Sequence, residues 1–279
     1  MKKYPEGALI VKQAGEGQWS FEYPRLSWDT LEEFHEAIEL WRAGHMAVAE
    51  AEYRRLTADF PEFIDARHHL ALLLSRIERP EEAYRLWGQT VAMGLDCLPE
   101  EFEMGQDLLP WIILENRPFL RAFHALGLAY LERGRVGDAL KIFENILAMN
   151  PGDNQGVRAL VVDCHFRQGH PERVLETCGR YPGDGMEQLM YGRALALYQL
   201  QRQVEADEAL AEAVQWLPLV ARELAKKRHP RPWGLDPARI TVGGADQAYY
   251  YWEDQGQHWK NTPGAITWVR ESLQKQEGR

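Results

Sequence analysis

The sequence predicts an all-α fold, an α-solenoid of about five short helix pairs with a small N-terminal β-hairpin and an aromatic helical C-terminal cap. Three observations carry that prediction. The chain repeats itself with a period of 34 residues, small residues recur at fixed points of each period, and Gly or Pro separates the periodic stretches. With 279 residues, 45% hydrophobic and 27% charged, the chain has apolar side chains enough for a sizeable core.

The first element is the hairpin. Ala8-Leu-Ile-Val11 and Gln18-Trp-Ser-Phe-Glu-Tyr23, parted by Gly15-Glu16-Gly17, read as two short strands that cover the open apolar end of the array, and Ser27 or Asp29 caps the helix that follows. Ala37, Leu40, Gly44, Ala49, Tyr53 and Pro61 mark the first copy, and a shift of 34 lands on Ala71, Leu74, Ala83 and Trp87. From Ala83 to Ala139 is 56 residues, one period and 22 more, so the register breaks once, across Leu95 to Pro118. An insertion sits there: an added turn of helix and a loop whose run Leu108-Leu-Pro-Trp-Ile-Ile-Leu114 is read as buried against its neighbours, with an apolar docking loop as the second reading. The next copy runs from Arg121 to Pro151, a degenerate one passes through Leu160, Val161 and Cys164, and Ala194, Leu197, Ala206, Leu210, Ala213 and Pro218 make the fifth.

Each copy is two amphipathic helices too short to be stable alone, so their apolar faces must be buried against the next pair. Ala49, Ala83, Ala139 and Ala206 let second helices approach closely; Ala37, Ala71, Gly127 and Ala194 do so for first helices. The aromatic tail is different. Four of the ten tryptophans lie in the last 47 residues, and helices over Asp246–Trp259 and from Pro263 onward assign them to a cap. The resulting divisions are a hairpin over 1–26, two pairs over 27–94, the insertion over 95–118, three pairs over 119–219 and the cap over 220–279.

Leu126-Gly127-x-x-Tyr130, then Ala139-x-x-x-Phe143, then Pro151 closely resembles the tetratricopeptide repeat, and the resemblance extends from about Thr30 to Pro218. It implies a right-handed superhelix whose first helices line a concave face, acting as a non-enzymatic protein-interaction scaffold. Gly244-Ala-Asp246, His258-Trp259 and Thr262-Pro-Gly-Ala265, with Pro151–Gly156 upstream, are similar to the ends of bacterial repeat proteins. More distantly they are similar to the suppressor-of-tumorigenicity repeat family. Those patches imply architecture and no chemistry.

The charge balance is 32 Lys and Arg against 42 Asp and Glu, a net of −10, which argues against a nucleic-acid partner. No run approaches the ~18 apolar residues that span a bilayer, so neither a transmembrane segment nor a membrane partner is expected. Three scattered cysteines suit a reducing, cytoplasmic setting. Signature motifs of hydrolases, P-loops and zincins are missing, and the chain is read as no enzyme, with no cofactor and no metal. Cys164-His165 with His170 and Cys178 form a zinc set only on paper, since Cys164 takes the slot of Tyr130 in the preceding copy and is better read as a core thiol. The polar groups from which a site in the cap would have to be built are His229, Asp246, Asp254 and His258.

Offset from the packing positions, the first helices carry Phe34 and Trp41, then His68, then Arg121 and His124, then Arg158 and His165, then Tyr191 and Tyr198. Those nine are the expected concave-face ligand-binding residues. Their basic and aromatic mixture suits an acidic or carboxylate-bearing protein segment, held more weakly above about pH 6.5 as histidines lose charge. Packing of Phe34 and Trp41 on the hairpin is the competing reading. The Lys and Asn set of repeats that clamp a terminal carboxylate is lacking. A different alternative is self-association, as a homodimer for instance, with the groove filled by the chain's own termini. Finally, Arg222, Lys226, Lys227, Arg228 and Arg231 either complement a helix dipole or form an anionic partner's surface.

Overall fold

The computed structural model describes residues 7–236 and 239–277, and divides into two compact units, Met1–Val157 and Arg158–Arg279. The first six residues of the expected hairpin segment, and 237–238 and 278–279 of the expected cap, lie outside the described residues.

In the first unit, strands β1 (Ile10–Gly15) and β2 (Gln18–Glu22) form an antiparallel hairpin with an irregularity between Gln13 and Gly15. Six helices follow: α1 (Trp28–Arg42), α2 (Met46–Asp59), α3 (Ile64–Arg76), α4 (Pro80–Asp96), α5 (Arg117–Glu132) and α6 (Val136–Met149). Ser27 starts α1 by accepting a 3.2 Å hydrogen bond from the Thr30 amide, which satisfies one of the donors a helix leaves free at its N-terminus. Gly44 and Gly134 turn α1 into α2 and α5 into α6 at φ of +85° and +69°, a left-handed conformation that side chains with a Cβ resist. Ala37, Ala49, Ala71, Ala83 and Ala139 are fully buried, as close-approach residues must be. Gly127 is tighter still: a Cβ there would lie 2.3 Å from Cε1 of Phe143, so the Gly of one helix is the socket for the Phe of its partner.

The hairpin does not sit on α1. The Trp19 amide donates to Leu108 O and the Leu108 amide to Gly17 O, both at 2.9 Å, while Asn116, fully buried, donates to Trp19 O and accepts from the Phe21 amide. Phe21 then packs on Phe119 at a ring separation of 5.0 Å. The insertion provides a partner for the exposed edge of β2, which is why the hairpin is drawn to the start of α5 rather than to an open end. The insertion itself differs from its expectation of burial. Leu109 is fully buried, but Ile112 and Leu114 are 80% and 61% exposed, because the loop is anchored through backbone groups: the Leu109 amide donates to Met149 O and the Trp111 amide to Asn150 Oδ1.

The second unit holds α7 (Val157–Gln168), α8 (Pro171–Arg180), α9 (Glu187–Gln199), α10 (Gln203–Trp216), α11 (Pro218–Ala225), α12 (Ala245–Asn261) and α13 (Ala265–Glu277). Tyr191, with no exposed surface, stitches α9 to α11 by donating to Leu217 O at 2.7 Å and accepting from the Ala221 amide at 3.2 Å. α13 is fastened beside α10 and α11, with Trp268 Nε1 donating to Asp207 at 2.6 Å and Arg270 Nε to Ala225 O at 2.8 Å.

Candidate interaction faces

Consider first the helices α1, α3 and α5, the first members of their pairs. The Arg121 guanidinium lies 3.0 Å from both carboxylate oxygens of Asp65, joining α5 to α3. Burial works to raise the Asp65 carboxyl, but the hydrogen bond and charge of His69 and the charge of Arg121 outweigh it, so it stays below the usual carboxylate range. His68 is 5% exposed, and its Nδ1 accepts from Trp87 Nε1 at 3.3 Å. Desolvation, helped by the neighbouring His69, lowers its pKa to about 3, and desolvation lowers His124 as well. Both rings are therefore neutral near pH 7, and the expected grip that weakens above pH 6.5 has no charged histidine here to supply it.

Phe34 is also buried, but not by the hairpin: its ring stands 4.9 Å from Phe63, 5.0 Å from His69 and 6.1 Å from Tyr53. Trp41, half-buried, meets the edges of Tyr53 and His69 at 6.5 Å. What stays exposed on this face is Leu128, at 38%, with the partly exposed Leu72 and Arg121, and beside them are three buried polar atoms with no hydrogen-bond partner: Arg121 Nε, His124 Nε2 and Gln155 Oε1. Gln155 joins the group because its Nε2 donates to Leu120 O at 3.2 Å. It is absent from the nine sequence candidates, although a shift of 34 from Arg121 lands on it.

The equivalent face of the second unit is covered by the chain itself. α12 runs in the direction of α9. Gln247 Nε2 donates to Glu187 at 2.6 Å near the start, Tyr251 packs on Tyr191 at 5.6 Å, and Thr262 just past the end accepts from Gln199 at 2.7 Å. His258 reaches α7, where Nε2 is 2.7 Å from Asp163 and the ring stacks on Phe166 at 5.1 Å. Of the four candidates in this unit, three find partners inside it, while His165 is buried with its Nδ1 unpartnered. Tyr191 is buried under α11 and α12. Tyr198 stacks on Trp268 at 4.6 Å and donates to Pro263 O. His165 is 6% exposed, its pKa lowered by desolvation and then by His170. Arg158 pairs with Asp184 and lies 5.3 Å from the Tyr181 ring. The expected open basic groove is corrected accordingly: in both units Arg charges on these helices are met by internal carboxylates, Arg121 by Asp65 of α3 and Arg158 by Asp184 in the connection before α9.

On the outer side of the second unit, α8 has ten residues where α6 and α10 each have 14. Beside it is a cleft of about 510 Å³ with Leu175, Cys178, Leu189, Leu197 and Trp216 among its walls. Burial pushes the Cys178 thiol up to about 12, the opposite of a reactive cysteine. Among the described residues no group of three or more His, Cys, Asp or Glu is placed to hold a metal ion. Of the cap's polar candidates, His229 stacks on Trp252 at 3.5 Å and bonds Glu223, Asp246 accepts from the Thr241 and Gln247 amides, and His258 is engaged by Asp163. Each has a structural partner. Asp254 stands apart, its carboxyl raised chiefly by burial and then by the charge of Asp163.

Paired short helices with small-residue sockets and exposed first-helix faces define a repeat scaffold of the protein-interaction class. The particular repeat is the tetratricopeptide repeat, whose family models match residues 34–96 and 130–198, and the chain is a tetratricopeptide-repeat protein. Solved structures share the fold at low identity. A tetratricopeptide repeat protein from Parabacteroides merdae is 10% identical with a TM-score of 0.53, over 90% of this chain and 88% of that one. MamA is 13% identical with a TM-score of 0.51, over 73% and 98%. YrrB, described as having an unusual peptide-binding site, is 16% identical with a TM-score of 0.50, over 67% and 85%. No curated protein sequence matches the chain.

Proposed function

We propose that the protein is a non-enzymatic scaffold that takes an extended peptide or protein segment on the first-helix face of residues 7–157, along α1, α3 and α5. The supporting observation is the trio of unpartnered buried atoms, Arg121 Nε, His124 Nε2 and Gln155 Oε1, beside the exposed Leu128. An unmet buried polar group costs about 1–3 kcal/mol, and a peptide backbone with alternating donors and acceptors meets all three. Leu72 and Leu128 offer apolar contact between those polar points. The segment need not be acidic, since Arg121 is already paired with Asp65. That YrrB is described as a peptide-binding tetratricopeptide repeat protein agrees with the reading by analogy.

Affinity purification of the full chain with L72E/L128E beside the original sequence tests it. Partners that co-purify with the original are lost from this variant and kept by a Tyr198→Ala variant, which alters only the covered face. Equal recovery by L72E/L128E, with helicity unchanged, overturns the assignment. The second reading is a structural protein that self-associates with its groove filled by its own terminus. The packing of α12 over α9 favours its latter half. Light scattering that reports a monomer at high concentration counts against the self-association.

A further inference from the structure

Past the end of α11 the chain is fastened through Glu223, well before the Thr241 and Gly243 amides bond Asp246 and Gln247 at the start of α12. Glu223, 5% exposed, holds Lys226 by an ion pair and His229 Nδ1 at 2.9 Å, and the His229 ring lies flat on Trp252 with 13° between planes. Around that anchor the chain turns outward. Arg222, Lys227, Arg228 and Arg231 are exposed and form no ion pair among the described residues, and Trp233 beside them is fully exposed at 101%. Between Arg222 and Asp236 five Lys and Arg stand against two acids, in a chain whose total balance is −10. The helix-dipole reading accounts for the cations at the end of α11, but Arg228, Arg231 and Trp233 lie beyond that helix.

We infer that residues 222–233 form a docking surface for an anionic lipid bilayer, with the cations on the headgroups and Trp233 in the interface. Two signals are needed for such contact, charge and an inserted apolar group, and both are present on one short stretch. The bare tryptophan decides between a bilayer and an acidic protein. Trp233 is fully exposed and is not among the walls of the cleft beside α8, a placement that suits penetration of a soft surface. An indole is at home at the level of lipid headgroups. This is contact with a surface and not insertion, since among the described residues no helix is long and apolar enough to cross a membrane.

Vesicle co-sedimentation of the full chain tests the inference, using phosphatidylglycerol-containing and pure phosphatidylcholine vesicles. The protein pellets with the anionic vesicles and not the neutral ones, and high salt releases it. K227Q/R228Q/R231Q lowers the partition constant roughly 100-fold, at about a factor of five per cation, and W233A lowers it independently at unchanged charge. All four positions are exposed, so circular dichroism of these variants matches the original. Failure of the original chain to pellet overturns the inference, as does an unchanged partition of the triple variant. Binding of a polyglutamate peptide to 222–233 without vesicle binding assigns the surface to an acidic protein and likewise overturns it. The inference is independent of the peptide face, which L72E/L128E addresses.

Discussion

Replacing Trp259 by Ala removes the centre of the packing that holds α12 in place. Trp259 is fully buried, its Nε1 donates to the Tyr251 hydroxyl at 2.9 Å, and its ring lies 6.4 Å from those of both Tyr191 and Trp268. Large-to-small truncation of a buried aromatic costs about 3–5 kcal/mol, and stranding the hydroxyl of Tyr251, a residue only 2% exposed, adds about 1 kcal/mol. The expected loss is thus ~4–6 kcal/mol, a large share of the 5–15 kcal/mol typical of a domain. Trp259→Phe keeps most of the apolar contact and loses the N–H, so it falls between, at about 1–2 kcal/mol. Urea unfolding monitored by circular dichroism measures both variants, with the slope m checked for constancy. A loss under about 1 kcal/mol for the Ala variant at unchanged m refutes the argument, because it would mean that α12 contributes nothing to the fold of the second unit.

Other consequences follow from the same contacts. Gly127→Ala improves helix propensity by about 1 kcal/mol but drives a Cβ to 2.3 Å from the buried Phe143, so a net loss of about 1–2 kcal/mol is expected by urea titration. His68 has a folded pKa lowered to about 3 against the usual 6.5, so the neutral ring's contribution is complete above pH 6.5 and declines as pH falls towards 3. That decline has a limiting slope of about 1.4 kcal/mol per pH unit, and H68Q should flatten it in stability measured from pH 7 to 4. Cys178, with its thiol pushed up to about 12, should resist iodoacetamide at pH 8 in the folded protein and react once unfolded, as read by peptide mass spectrometry.

The repeat was legible because close packing leaves a local mark: Ala37, Ala71 and Ala139 recur where no larger side chain fits, and all three are buried. Cys164 is the buried thiol the pattern suggested, although Tyr130, one period earlier, is itself only half-buried. The hairpin's destination was not, since it depends on Leu108 and Asn116, some 90 residues away, supplying hydrogen bonds that no local pattern records. Face assignment failed for a related cause. Position in the period sets His165 and Tyr191 off the packing positions but does not say which element comes to lie on them, nor that His68 turns to Trp87 of its own pair. The two cap helices could be drawn from the aromatic tail with nearly correct ends, while the docking of α12 beside α9 rests on single contacts such as Gln247 to Glu187 that only the folded chain brings together. Gln155 is the reverse case, a residue that strict use of the 34-residue shift exposes.

The account turns on α12 closing one first-helix face and leaving another to partners. Hydrogen–deuterium exchange of the full chain, read peptide by peptide, tests this most directly. Amides of 245–261 should exchange as slowly as those of 187–199, on which α12 packs. Exchange of 245–261 within seconds, while 187–199 stays protected, would leave the second face open and contradict the account.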